Sequence, residues 1–136
     1  MENKISIIGS NELNKLLDRQ EYIYINFSYE YSIKINPFFE SIDDTERNTL
    51  IQLFFQLTNI DIRVNDLLGQ LHIIVLKILL DDEQDNIIIN SLGLTDDSII
   101  FFKSNFEKIL QNFKNKNLII YKFEVNESLN FTYKKR

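Results

Sequence analysis

The chain has no cysteine and no tryptophan, and its 136 residues include one proline, three glycines and one histidine. Without cysteine there can be no disulfide, no thiolate metal site and no cysteine nucleophile, a composition that fits a reducing compartment. His72 has no second histidine to join in a zinc site. Gly9, Gly69 and Gly93 are too scattered to form a phosphate-cradling loop. Sparse glycine and proline disfavour a turn-rich β fold and favour helices. The longest uncharged run, Asn48 to Ile60, is 13 residues and partly polar, short of the roughly 20 apolar residues a membrane span needs. No stretch has the pattern of a signal peptide. The glycosylation patterns at Asn26, Asn126 and Asn130 are chance matches in an Asn-rich chain. A soluble, cytoplasmic protein is expected.

What the chain does have is bulk. Hydrophobic residues make up 44%, with eleven Phe and six Tyr, so the chain can bury a substantial core and is not disordered. The net charge of −5 disfavours electrostatic binding to nucleic acid. The basic end Lys134-Lys135-Arg136 is read as a solvated tail.

Periodicity predicts a small bundle of five to six helices. Ser10 is a candidate cap for a short helix bearing Leu13, Leu16 and Leu17. Residues 22–35 are ambiguous: Tyr22, Tyr24 and Asn26 alternate as in a strand, while Ile23, Phe27, Tyr31 and Ile35 recur as on a helix face. With no strand partner nearby the helix is preferred, ending at or before Asn36 because of Pro37. Ser41 is a candidate cap for a helix with the stripe Leu50, Leu53, Phe54 and Leu57. Asp61 is a candidate cap for a central helix, in which Val64, Leu67, Leu68, Leu71, Val75, Ile78 and Leu79 are spaced as one-sided burial demands. Asp81 or Asp82 opens a helix through Ile88 and Leu92. Gly93, at positive φ, closes it, and Thr95 caps the last helix over about 96–114. After Asn117 the sequence turns β-branched and aromatic. "LIIYKFEV" and "SLNFTY" predict a short C-terminal β-hairpin or strand segment. The mixed parity of Leu118, Ile120, Phe123 and Val125 suggests burial on both faces of a strand or a bulge. The expected division is a helical domain over 1–116 and a β-rich segment over 117–136.

No group of side chains carries chemistry. His72, within the apolar central helix, fits a structural or surface role better than a catalytic one. The acidic run Asp81, Asp82, Glu83 and Asp85 lacks the glycine and terminal glutamate of a calcium loop and fits a solvated helix start. Phe101, Phe102 and Phe106 fit a core stripe, with one of the adjacent pair Phe101 and Phe102 at the core edge, where it can meet a partner. No catalytic residue, metal site or cofactor is expected.

The order of features resembles the COMM domain-containing proteins, an endosomal scaffold family. The resemblance runs from "FFESIDDTERNTLIQLFFQL" through "DIRVNDLLGQLHIIVLKILL" to "INSLGLTDDSIIFFKSNFEKIL". There Leu92 and the corner Leu94-Thr95-Asp96-Asp97 match the family pattern, and Phe106 stands where a Trp is common. Leu118, Phe123 and Val125 sit at the spacing that opens a COMM domain, with Phe123 in place of another Trp. Glu127 departs from the pattern, and the sequence ends at Arg136, before most of a COMM domain. The resemblance implies an all-helical domain followed by the first of several antiparallel strands. It also implies a non-enzymatic adaptor with COMM-domain and coiled-coil scaffold subunits as partners in the Commander complex, associated with endosomes and active in cargo recycling. The alternative is a viral Bcl-2-like helical inhibitor of host apoptosis or immune signalling. The interaction residues expected from the apolar surface and open edges of the C-terminal strands are Leu118, Ile120, Phe123, Val125 and Phe131, with homo- or hetero-oligomerisation through residues 118–133, by a second copy or a COMM-like sheet. The strands fit the Bcl-2-like alternative badly.

Overall fold

The computed structural model of the chain describes residues 4–17, 22–26, 32–81 and 85–122. In chain order the elements are β1 (Lys4–Ile8), α1 (Ser10–Leu17), β2 (Ile23–Asn26), α2 (Ser32–Ser41), α3 (Asp44–Thr58), α4 (Leu67–Asp81), β3 (Asn86–Asn90), α5 (Asp96–Ile109) and β4 (Asn117–Tyr121). Helices hold most of the described chain, as expected. The strands do not form a C-terminal appendage. They build one four-stranded sheet in the order β1-β4-β3-β2, and every pair is parallel.

Sequence composition explains the central strands. "NIIIN" in β3 and "NLIIY" in β4 are continuous β-branched runs, the texture of parallel strands covered on both faces. Side chains alternate between the two faces. Ile87, Ile89, Leu118 and Ile120 enter the main core beneath α2–α5, together with Leu71, Val75, Phe54, Phe102 and Phe106. Ile88, Ile119 and Tyr121 point the other way and meet Ile8 and Leu13 of β1 and α1. The sheet is therefore a layer with four helices on one face and the short α1 on the other. Of the two readings of the C-terminal strand, burial on both faces or a bulge, β4 shows the first over Leu118–Tyr121, while Phe123 and Val125 lie outside the described residues.

Several boundaries differ from expectation. The helix expected from Asp81 or Asp82 to Leu92 is absent: α4 ends at Asp81 and β3 occupies 86–90. Ile88 and Leu92 are one helical turn apart, but Ile87, Ile88 and Ile89 are all about 1% exposed, and burial on opposite faces suits a strand. Ile23–Asn26 is a strand whose partner, β3, lies more than sixty residues away in the chain, which is why no nearby partner was visible. Pro37 lies inside α2 rather than after it. It removes one helical hydrogen bond, and Phe39 and Ile42, 3% and 2% exposed, hold the end of that segment in the core. The N-cap of α3 is Asp43 rather than Ser41, its carboxylate accepting from Glu46 N–H at 2.8 Å.

The boundary expected at residue 117 does not separate two units, because β4 is hydrogen-bonded between β1 and β3. Parallel pairing here also departs from the antiparallel strands that the COMM resemblance implies. The second strand of the expected hairpin, residues 128–133, lies outside the described residues. Among the described residues no helix is long and apolar enough to cross a membrane.

Candidate functional site: a groove at the carboxyl edge of the sheet

The expected interaction residues divide into two groups. Leu118 and Ile120 are 0% and 1% exposed at the centre of the sheet, so they are core and cannot form a docking face. Phe123, Val125 and Phe131 lie outside the described residues. The accessible apolar surface has to be sought elsewhere.

The connection from α3 to α4 supplies it. Helix α3 ends at Thr58, whose buried hydroxyl donates to Phe54 C=O at 2.7 Å and accepts from Ile60 N–H at 3.1 Å. Asn59 takes the left-handed conformation, φ 62°, and its N–H returns to Phe55 C=O. Residues 60–66 then run as an irregular strap rather than as the start of α4, which sequence periodicity places near Asp61. The cap is Asp66, whose carboxylate accepts from Gly69 N–H at 2.8 Å. Gln70 donates from its side-chain amide to Val64 C=O at 3.1 Å. Gly69 lets the strap lie against the first turn of α4: a Cβ there would sit 1.6 Å from the Arg63 carbonyl oxygen.

Two adjoining hollows result. One, of about 200 Å3, is lined by the strap, Leu68, Gly69 and Phe101. The other, of about 390 Å3, lies along Ile51, Gln52, Phe55 and Gln56 of α3. Asp61 borders both, so the two hollows are neighbours across it and are together called the groove. Phe55 and Phe101 rise from it 47% and 38% exposed, and Ile100, beside Phe101 on α5, is 64% exposed. The adjacent pair Phe101 and Phe102 splits as expected, Phe102 buried at 1% and Phe101 at the edge.

Phe101 is held from below by His72. The imidazole is fully buried, with ring centroids 5.3 Å from Phe101, 4.9 Å from Phe102 and 5.7 Å from Phe106, and with Phe54 meeting it edge-on at 5.6 Å. Its Nδ1 lies 2.8 Å from Leu68 C=O and its Nε2 3.1 Å from the Asn105 side-chain amide. A carbonyl can only accept, so Nδ1 carries the proton and Nε2 accepts from Asn105. Burial pushes the His72 pKa down to about 4, against the opposing pull of the Leu68 carbonyl and the Asp66 charge. His72 is thus a neutral structural pin between α4 and α5, the buried one of the structural and surface roles that the sequence left open.

The groove lies toward the carboxyl ends of the strands. Lys122, just past β4, pairs with Asp96 at the start of α5 at 3.0 Å, so α5 begins at that edge and Phe101 lies little more than one turn along it. In open α/β sheets this is the edge at which binding sites are found. At the same edge, Ser91 donates through both N–H and Oγ to Tyr121 C=O, and the Ser10 and Tyr121 hydroxyls are 2.9 Å apart.

Among the described residues no group of three or more His, Asp or Glu side chains is placed to hold a metal ion. Of the acidic run, Asp81 pairs with Lys77 and Asp85 with Lys116. Asp81 ends α4 rather than opening a helix, and Asp82 and Glu83 lie outside the described residues. No protein-family model matches the chain, and neither a curated protein nor a solved structure matches it.

Proposed function

We propose that this chain is a non-enzymatic protein-interaction module whose docking surface is the groove between the α3 C-terminus, the 60–66 strap and α5. The observation that supports it is half-exposed aromatic surface in each of two neighbouring, largely apolar hollows, Phe101 in one and Phe55 in the other. Single exposed apolar residues are ordinary on protein surfaces. Aromatic side chains beside a hollow are the usual anchors of an interface.

Phe101 is also preorganised, its ring backed by the buried His72. Its side chain therefore loses little freedom when a partner covers it. The adaptor role suggested by the sequence is retained in this form, with the contact surface moved from residues 118–133 to the groove. A place in an endosomal scaffold would rest on the COMM resemblance alone, and the parallel sheet gives that assignment no added support.

The test is affinity purification with the full chain and with a Phe55→Ala/Phe101→Ala variant, compared by quantitative mass spectrometry. Circular dichroism first establishes that the variant is folded. Partners captured by the natural chain and lost by the variant support the groove as the docking surface. An unchanged set of partners places the interaction elsewhere.

A further inference from the structure

The groove carries a charge pattern as well as an apolar floor. Asp61 and Asp66 border it and are exposed. Asp97 is exposed on α5, four residues before Phe101 and three before Ile100, the spacing that puts side chains on one helix face. Arg63 is the cation among the lining residues. Among the described residues, three carboxylates against one guanidinium leave a net of two negative charges around the apolar surface. One Asp66 oxygen is engaged by Gly69 N–H.

Asp61, Asp97 and Arg63 make no ion pair with any described residue. Other acids on the same helices are paired: Glu46 with Lys77, Glu107 with Lys103 and Asp96 with Lys122. Carboxylates with no ion partner among the described residues, beside exposed aromatics, complement a ligand that brings its own cations. They also repel phosphate-rich surfaces, in keeping with the chain's net charge of −5.

Resting on the groove as the docking surface, we infer that its occupant is a cationic amphipathic segment of a partner protein. Its apolar side chains cover Phe55, Phe101 and the Ile60–Ile62 floor, and its lysines or arginines face Asp61 and Asp97. Opposite charges at such a rim raise the encounter rate and make affinity salt-dependent, while the buried aromatic contacts supply most of the binding energy.

The experiment is fluorescence anisotropy on the full chain with two labelled amphipathic peptides that share a leucine face, one carrying lysine and the other glutamate on the polar face. The lysine peptide binds saturably and more weakly as salt rises. Phe101→Ala weakens it by about tenfold, the loss of one interface anchor. The double variant Asp61→Lys/Asp97→Lys weakens it and strengthens the glutamate peptide. Asp44→Lys, at the opposite end of α3, changes neither by more than about twofold, as a charge roughly 20 Å away along the helix should. If the glutamate peptide binds as well as the lysine peptide and Phe101→Ala abolishes both, the inference about charge is overturned while the groove survives as the docking surface. If neither peptide responds to Phe55→Ala or Phe101→Ala, both are overturned. Binding to phosphatidylserine vesicles that Phe101→Ala removes would overturn the inference in favour of a membrane ligand.

Discussion

Gly69 of α4 lies against the Arg63 carbonyl so closely that a methyl group on it would fall 1.6 Å from the oxygen. This approach closes the strap over the helix start and shapes the groove beside it. The atom in the way is backbone, so no side-chain rotation relieves the clash. Gly69→Ala is therefore expected to destabilise by about 1–3 kcal/mol, the range of overpacking, although alanine in a helix interior ordinarily gains up to about 1 kcal/mol over glycine. Urea denaturation measures the shift. A stabilised variant would mean that strap and helix are not in contact.

The neutral His72 makes stability depend on pH. Its folded pKa is about 4, and an unfolded histidine titrates near 6.5. Between those values the unfolded chain binds the proton more readily, so this contribution rises with pH. It is complete above about pH 6.5 and is lost as pH falls toward 4, a change of about 3 kcal/mol. His72→Phe removes the titration along with the hydrogen bonds to Leu68 and Asn105. Its stability gap below the natural protein should narrow as pH falls through that window. Parallel pH profiles would show that His72 does not titrate in this way.

Leu118 separates a core strand from a docking strand. Its side chain is fully buried between β1 and β3. Leu118→Ala should cost about 2–5 kcal/mol, as buried Leu→Ala changes do. Leu71→Ala in α4 belongs to the same class. Had Leu118 been a surface anchor, its truncation would alter partner binding and leave the denaturation midpoint in place.

Gly93 has φ 100° in the turn between β3 and α5. An L-residue pays about 1–2 kcal/mol for a left-handed conformation, so Gly93→Ala should lower stability by that amount. The exposed Glu107→Ala, which loses only a surface ion pair with Lys103, should cost well under 1 kcal/mol.

Local features were legible in the sequence. Thr95 caps α5, its hydroxyl accepting from Ser98 N–H at 3.1 Å, because an N-cap needs only residues three apart. Gly93 has the expected positive φ, although the element it follows is a strand. The stripe of α4 was legible in the fully buried Leu71 and Val75, with Leu68 and Ile78 partly buried. Non-local features were not legible. β3 lacks alternation because both of its faces are covered, and Ile88 with Leu92 also satisfies helical spacing. β4 pairs with β1 across more than one hundred residues, and nothing in "KISII" by itself announces the central strand it supports. The groove was legible only in part. One of Phe101 and Phe102 was expected at the core edge, but the strap depends on an approach between Arg63 and Gly69 that no periodicity encodes.

The neighbours of β4 decide whether residues 118–121 are core, and hence whether the docking surface lies at the groove. Nuclear Overhauser contacts from the Leu118 methyl groups, measured on the full chain, report those neighbours directly. With Leu118 in register with both Ile5 and Ile87, contacts to the methyl groups of both are predicted. Contacts from Leu118 to residues 128–133 in antiparallel order, with none to Ile5, would contradict the parallel sheet and return this segment to the surface.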